Sequence, residues 1–197
     1  MTRIALFTAV LVICGNLAIP TPVVPFTLQV FGVALIAFVL PRKEAMLSVF
    51  LYILMGFLGI PVFSGWTGGL VATMAKPTVG FIIGFLPMVW VMSSILRQSE
   101  RYPRRIKTFG HFSIENRTIS SALAAVSGII ILYACGLWGV YLHFAYYIGS
   151  PVRFRPIFLA YCIPFLPIDC LKYILSYLVG RRLKKIPALL RDKQRQS

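Results

Sequence analysis

The stretch Pro164-Phe165-Leu166-Pro167-Ile168-Asp169-Cys170-Leu171-Lys172-Tyr173 lies inside an apolar run from about Ile157 to Val179. A run of that length can cross the hydrocarbon of a bilayer. A carboxylate placed there costs several kcal/mol unless it is paired or wetted, so Asp169 is a functional-site candidate by default. It is the one acid of five that sits away from a loop, a tail or a segment end. Positions i and i+3 share a helix face, so Asp169 and Lys172 point together. Proline is well tolerated in a first helical turn. The pattern therefore predicts a short irregular stretch and a new helix from near Pro167, with both charges in its first turn or two, at the outward end. The unpaired N–H groups and positive partial charge of that terminus suit Asp169 and help hold an anion. Two readings stay open: a structural ion pair locking two helices, or recognition of a small ligand that has both N–H donors and an acceptor.

Working outward, the same apolar character recurs. Of 197 residues, 58% are hydrophobic, against roughly 45–50% in a soluble domain. The runs do not alternate as barrel strands do. The predicted class is an all-α integral membrane protein, a single domain over 1–197. Six transmembrane helices are expected at about 4–19, 26–40, 45–60, 80–96, 119–148 and 157–179, with a basic linker at 97–118 and a basic tail at 181–197. The first run has no convincing small-residue cleavage site and is read as a helix, not a signal peptide. The fifth is long for one span and is expected to tilt or protrude.

The net charge of +15 sits at segment ends, which is the topology signal of inner membranes. The N-terminus, the 41–44 loop, the linker and the tail collect 16 of the 20 basic residues, so both termini are expected in the cytoplasm. No stacking platform accompanies the charge, so nucleic acid is not an expected partner; the lipid bilayer is.

Between helices 3 and 4, Pro61 to Pro77 is glycine-rich, carries Trp66 and has Lys76 as its one charge. It is too rich in glycine for a stable helix, and apolar irregular backbone belongs where it lines a cavity or is buried in protein. A glycine-rich cap is expected, with Gly68 and Gly69 letting backbone approach a ligand and Trp66 against an apolar ring; an ordinary turn and an interfacial tryptophan are the alternatives. Ala5-x-x-x-Ala9 lets helices approach closely in lipid, either within the protein or in docking a separate membrane subunit. Cys14, Cys135, Cys162 and Cys170 form no C-x-x-C and are expected to pack. The run Trp138 to Tyr147, with His143, is expected at an interface, in packing or along a pocket wall. No phosphate-binding loop, zinc-protease helix or nucleophile elbow occurs, so no enzyme is expected.

Val24-Pro25-Phe26-Thr27-Leu28-Gln29, then Gly59-Ile60-Pro61-Val62-Phe63-Ser64-Gly65-Trp66-Thr67-Gly68-Gly69-Leu70, Lys76-Pro77-Thr78-Val79-Gly80-Phe81 and Leu166-Pro167-Ile168-Asp169-Cys170-Leu171-Lys172 resemble, in this order, the BioY family. These are biotin-binding S components of energy-coupling factor (ECF) vitamin transporters of prokaryotes. The resemblance implies six helices in the cytoplasmic membrane and high-affinity capture of biotin from outside. It implies separate partners: a transmembrane coupling subunit and two ATP-binding subunits, with some members working without a dedicated set. It implies no resident cofactor, biotin being the cargo. It assigns Asp169 and Lys172 to the biotin site, the glycine-rich loop Ser64 to Gly69, with Trp66, Gly68 and Gly69, to closing it, and Ala5 and Ala9 to docking; Gln29, Phe63 and Thr78, which lie in the resembling motifs, are expected to line the same site. Lys76 departs from the family, which often has glycine there, and the linker is longer and more basic than the family leads one to expect.

Overall fold

A computed structural model describes residues 1–19, 25–101, 116–149 and 153–185. Pro20-Thr21-Pro22, most of the basic linker and the end of the basic tail lie outside the described residues. The rest is predominantly helical. Helix α1 is Thr2–Asn16, α2 Gln29–Val39, α3 Arg42–Phe57, α4 Leu70–Met74, α5 Val79–Arg101 and α6 Asn116–Leu142. A π-helical turn, His143–Tyr147, follows α6, then α7 Phe154–Tyr161 and α8 Leu166–Leu183. Strands β1 (Ala18–Ile19) and β2 (Phe26–Thr27) pair antiparallel between α1 and α2.

Several expected boundaries move. The first run stops being helical at Asn16 and its end enters the ribbon. The second starts as a strand: the Gln29 N–H donates to Thr27 Oγ1 at 3.3 Å, and the helix begins there rather than at Phe26. The Pro61–Pro77 segment is irregular only in part. Leu70-Val71-Ala72-Thr73-Met74 contains no glycine and forms the short helix α4 once Gly69, at φ +96°, has turned the chain.

Helix α2 is the centre. Val33 to Phe38 are all at most 5% exposed, so the helix is buried on every side, as an all-round apolar helix must be. Its eleven residues span about 17 Å, too short for a hydrocarbon core of about 30 Å. Surrounded by α1, α3, α5 and α8, it has no need to match that thickness. Two described helices are long and apolar enough to cross a membrane, Val79–Ser99 and Thr118–Tyr147. The α7–α8 pair adds a third if, despite its 47° bend, it forms one span; Thr2–Asn16 and Gln29–Val39 are apolar but shorter.

Helices α5 and α6 form the most extensive helix pair, and glycine is the reason. A Cβ on Gly80 would stand 2.7 Å from Gly139 Cα and 2.8 Å from Cys135 O; one on Gly136 would enter the Phe81 ring. Close backbone approach of this kind substitutes for the hydrophobic effect, which does not drive helix association in lipid. On the far side, the buried Ser176 hydroxyl lies 2.9 Å from Phe31 O and 2.7 Å from Lys172 O, tying α8 to α2. Tyr173 Oη donates to Met88 Sδ on α5 at 3.3 Å.

Because the atoms facing Gly80 are backbone, they cannot give way. Gly80→Val is expected to destabilise the protein by about 1–3 kcal/mol, the usual cost of overpacking, read as a lowered midpoint of thermal unfolding in detergent.

Candidate functional site

The break between α7 and α8 builds the site. Residues 162–165 turn, and α8 starts at Leu166 with proline in its first turn. Asp169 lies in that first turn and its own N–H donates to Phe165 O at 2.9 Å. Asp169 and Lys172 are 5% and 8% exposed. Lys172 Nζ lies 2.7 Å from Asp169 Oδ1. The other carboxylate oxygen, Oδ2, accepts from Tyr133 Oη of α6 at 2.8 Å. One buried charge is thus held by its ion-pair partner and by a hydroxyl from another helix.

The triad remains incompletely bonded. An ionised carboxylate offers about four acceptor sites and an ammonium three donors. Asp169 uses one site on each oxygen, and Lys172 makes one side-chain hydrogen bond. All three residues line a cavity of about 320 Å³, within the roughly 300–1,000 Å³ of small-molecule sites. Buried polar atoms in proteins are nearly always bonded, yet Ser64 Oγ and Thr73 Oγ1, both on this cavity, have no partner among the described residues. Aromatic rings share the remaining wall with Thr27, Gln29, Thr67 and Thr78. Phe81 meets Tyr133 edge-on at 5.9 Å, Phe165 packs on Phe26 at 4.5 Å, and Phe63, Phe85 and Tyr161 also line it.

A roof is tied down over this space. Phe63 and Thr67 exchange backbone hydrogen bonds at 3.0 and 3.2 Å, with Gly65 and Trp66 at positive φ between them. The Trp66 N–H donates to Asn16 Oδ1 at 2.8 Å, and Asn16 Nδ2 donates to Val62 O at 3.2 Å. Tyr52 Oη also donates to Val62 O, at 3.2 Å, and itself accepts from Gln29 Nε2. Helices α1, α2 and α3 therefore all hold the loop. Lys76 Nζ donates to Thr67 Oγ1 at 3.0 Å, and burial lowers the pKa of this ammonium from its ordinary value.

Of the residues singled out in sequence, Asp169, Lys172, Phe63, Thr78 and Gln29 line this one cavity, as does Lys76. Trp66, Gly68 and Gly69 do not line it. Trp66 is 67% exposed: at φ 56° its amide turns inward to Asn16 while its ring turns out. Gly68 instead packs on the Ile60 carbonyl, where a Cβ would collide. The Gly69 N–H donates to Gly56 O at 2.7 Å. The missing side chain serves close packing at Gly68 and the positive φ of the turn at Gly69. Nothing from Trp138 to Tyr147 reaches the cavity; His143 is buried and stacked on Tyr147 at 5.0 Å. Cys14 and Cys162 are buried as packing residues, whereas Cys170 is exposed. Ala5 and Ala9 lie on the exposed face of α1 with Leu6 and Ile13. Tyr133, Tyr161, Thr73 and Phe165 were not singled out: Tyr133 and Tyr161 lie in apolar runs that read as core, Thr73 in the glycine-rich segment and Phe165 beside the charged pair.

The BioY family model matches residues 1–188. The chain is 36% identical over 139 residues to biotin transporter BioY2 of Lactococcus lactis subsp. cremoris, an alignment covering 70% of this chain and 68% of that protein. It is 30% identical over 188 residues to biotin transporter BioY of Thermotoga maritima, covering 94% and 96%. A crystal structure of the S-component for biotin from an ECF-type ABC transporter superposes with a TM-score of 0.75 at 25% identity, covering 94% of this chain and 90% of that one. With a family match over nearly its whole length and relatives that share its extent, this chain belongs to the BioY family.

Proposed function

We propose that the chain captures biotin and serves in its uptake as the substrate-binding S component of an ECF-type transporter. The observation that carries this reading is the buried Asp169–Lys172–Tyr133 triad, with donors and acceptors left over on one aromatic-lined cavity. Family membership and relatives described as biotin transporters support it. Biotin has a bicyclic body, two ureido N–H donors, a ureido carbonyl and a carboxylate tail. Asp169 accepts from ureido N–H, and Lys172 donates to the ureido oxygen. Hydrogen bonds in which one partner is charged are roughly twice as strong as neutral ones. The rings of Phe81, Phe165 and Phe63 cover the apolar body. No step here makes or breaks a covalent bond; the protein acts as a carrier and not as an enzyme, and needs no resident cofactor.

The chain on this reading crosses the cytoplasmic membrane of a prokaryote six times. Both termini face the cytoplasm, where the basic residues collect, and the glycine-rich cap between α3 and α5 faces outward. ATP hydrolysis belongs to two separate subunits and reaches this chain through a transmembrane coupling subunit. The exposed stripe of Ala5 and Ala9, flanked by Leu6 and Ile13, offers that subunit a close helix approach.

Removing one member of a buried pair strands the other, at about 3–5 kcal/mol. Asp169→Asn and Lys172→Met are each expected to lose biotin affinity on that scale, measured by calorimetry on detergent-purified protein; near-wild-type affinity in both would take the pair out of the site. Tyr133→Phe removes one hydrogen bond to a charged group and should cost less, about 1.5–3 kcal/mol, in the same titration. Ala9→Trp is expected to abolish uptake by cells while leaving binding intact; retained uptake would move docking elsewhere.

A further inference from the structure

Lys76 is the cavity's second cation, and its charge is unbalanced. The charges of Asp169 and Lys172 cancel within their ion pair. Lys76 Nζ bonds only a neutral hydroxyl, Thr67 Oγ1, and no carboxylate among the described residues pairs with it. Glu44 stands in the first turn of α3, at the end of that helix away from the loop. The cavity therefore holds one net positive charge, contributed by the α4–α5 connection rather than by α8. Polar atoms without partners accompany it. Thr73, three residues before Lys76, is 3% exposed and its Oγ1 is unpartnered among the described residues, as is the Oγ of Ser64; both line the cavity with Lys76. An ammonium with two spare N–H groups beside two unused hydroxyl donors makes an anion subsite, on different elements from the Asp169 site.

We propose that Lys76, with the Thr73 and Ser64 hydroxyls, binds the ligand's carboxylate, so that the ring system is directed to Asp169 and Lys172 and the tail toward the roof. This rests on the biotin reading and gives the ligand one orientation. A monoanion then neutralises the cavity, and the ion pair keeps its spare valences for the ureido group. A neutral ester of the same ring system lacks the Lys76 contact alone.

The test is calorimetric titration of the detergent-purified full chain with biotin and with biotin methyl ester. Wild type is expected to prefer the acid by about tenfold or more, the worth of a charge-assisted hydrogen bond. Lys76→Met should erase that preference by weakening the acid while leaving the ester within about twofold of wild type, which also certifies the fold of the variant. Lys76→Arg should keep the preference. Arg155→Gln, which removes an exposed cation outside the cavity lining, should keep it too. An unchanged acid-to-ester ratio in Lys76→Met overturns this assignment and leaves the biotin reading standing. Equal loss of the ratio in Arg155→Gln overturns it in favour of diffuse surface charge. No binding of either compound by wild type overturns the biotin reading, and this one with it.

Discussion

A buried carboxylate cannot be left alone, and the architecture around Asp169 follows from that. Stripping an ion of water costs several kcal/mol even after relaxation. Here three devices offset it: an ammonium one turn along the same helix, a hydroxyl from α6, and placement in the first turn of α8, where the helix field favours negative charge. Each device needs another part of the chain. The turn at 162–165 creates the helix start. The glycine seam between α5 and α6 brings Tyr133 within reach, because Phe81, which meets Tyr133 edge-on, also lies over Gly136. The same demand leaves bonding capacity over, and that capacity faces the cavity.

Floor and roof are held differently. The floor is α2, buried on all sides and tied to α8 through Ser176. The roof is a loop tied by Asn16 and Tyr52, with Phe63 as its buried ring. A loop held by hydrogen bonds opens at lower free energy than helices packed in the core. A site that must admit a polar ligand and then shield it calls for this division. Asn16 sits at the end of the helix whose outer face carries Ala5 and Ala9, so roof and outer face share one element.

Asp169 and Lys172 were legible because charge is rare in apolar sequence: one acid and one base three residues apart cannot be overlooked. The helix start near Pro167 was legible because proline constrains its own backbone; the helix begins at Leu166. Lys76 stood out by the same rule of rarity. Tyr133 and Thr73 were not legible. A tyrosine in an aromatic-rich run and a threonine after a glycine pair read as packing, and only their neighbours in space give them another use. The outward turn of Trp66 and the packing of Gly68 on Ile60 were not legible, because sequence gives a loop's composition but not the direction in which each residue points.

Sequence by itself determined that this chain is helical, apolar and suited to a bilayer, and that one charged pair lies within its last apolar run. Those properties are carried by composition and by contacts a few residues apart. Only the tertiary structure decided that Tyr133, Lys76 and Thr73 share a chamber with that pair, that α2 is enclosed rather than exposed, and that the Trp66 ring turns outward. These depend on backbones meeting at Gly80 and Gly139 and on hydrogen bonds closing across 36 to 50 residues. Such long-range meetings depend on how whole helices pack, which no local pattern encodes.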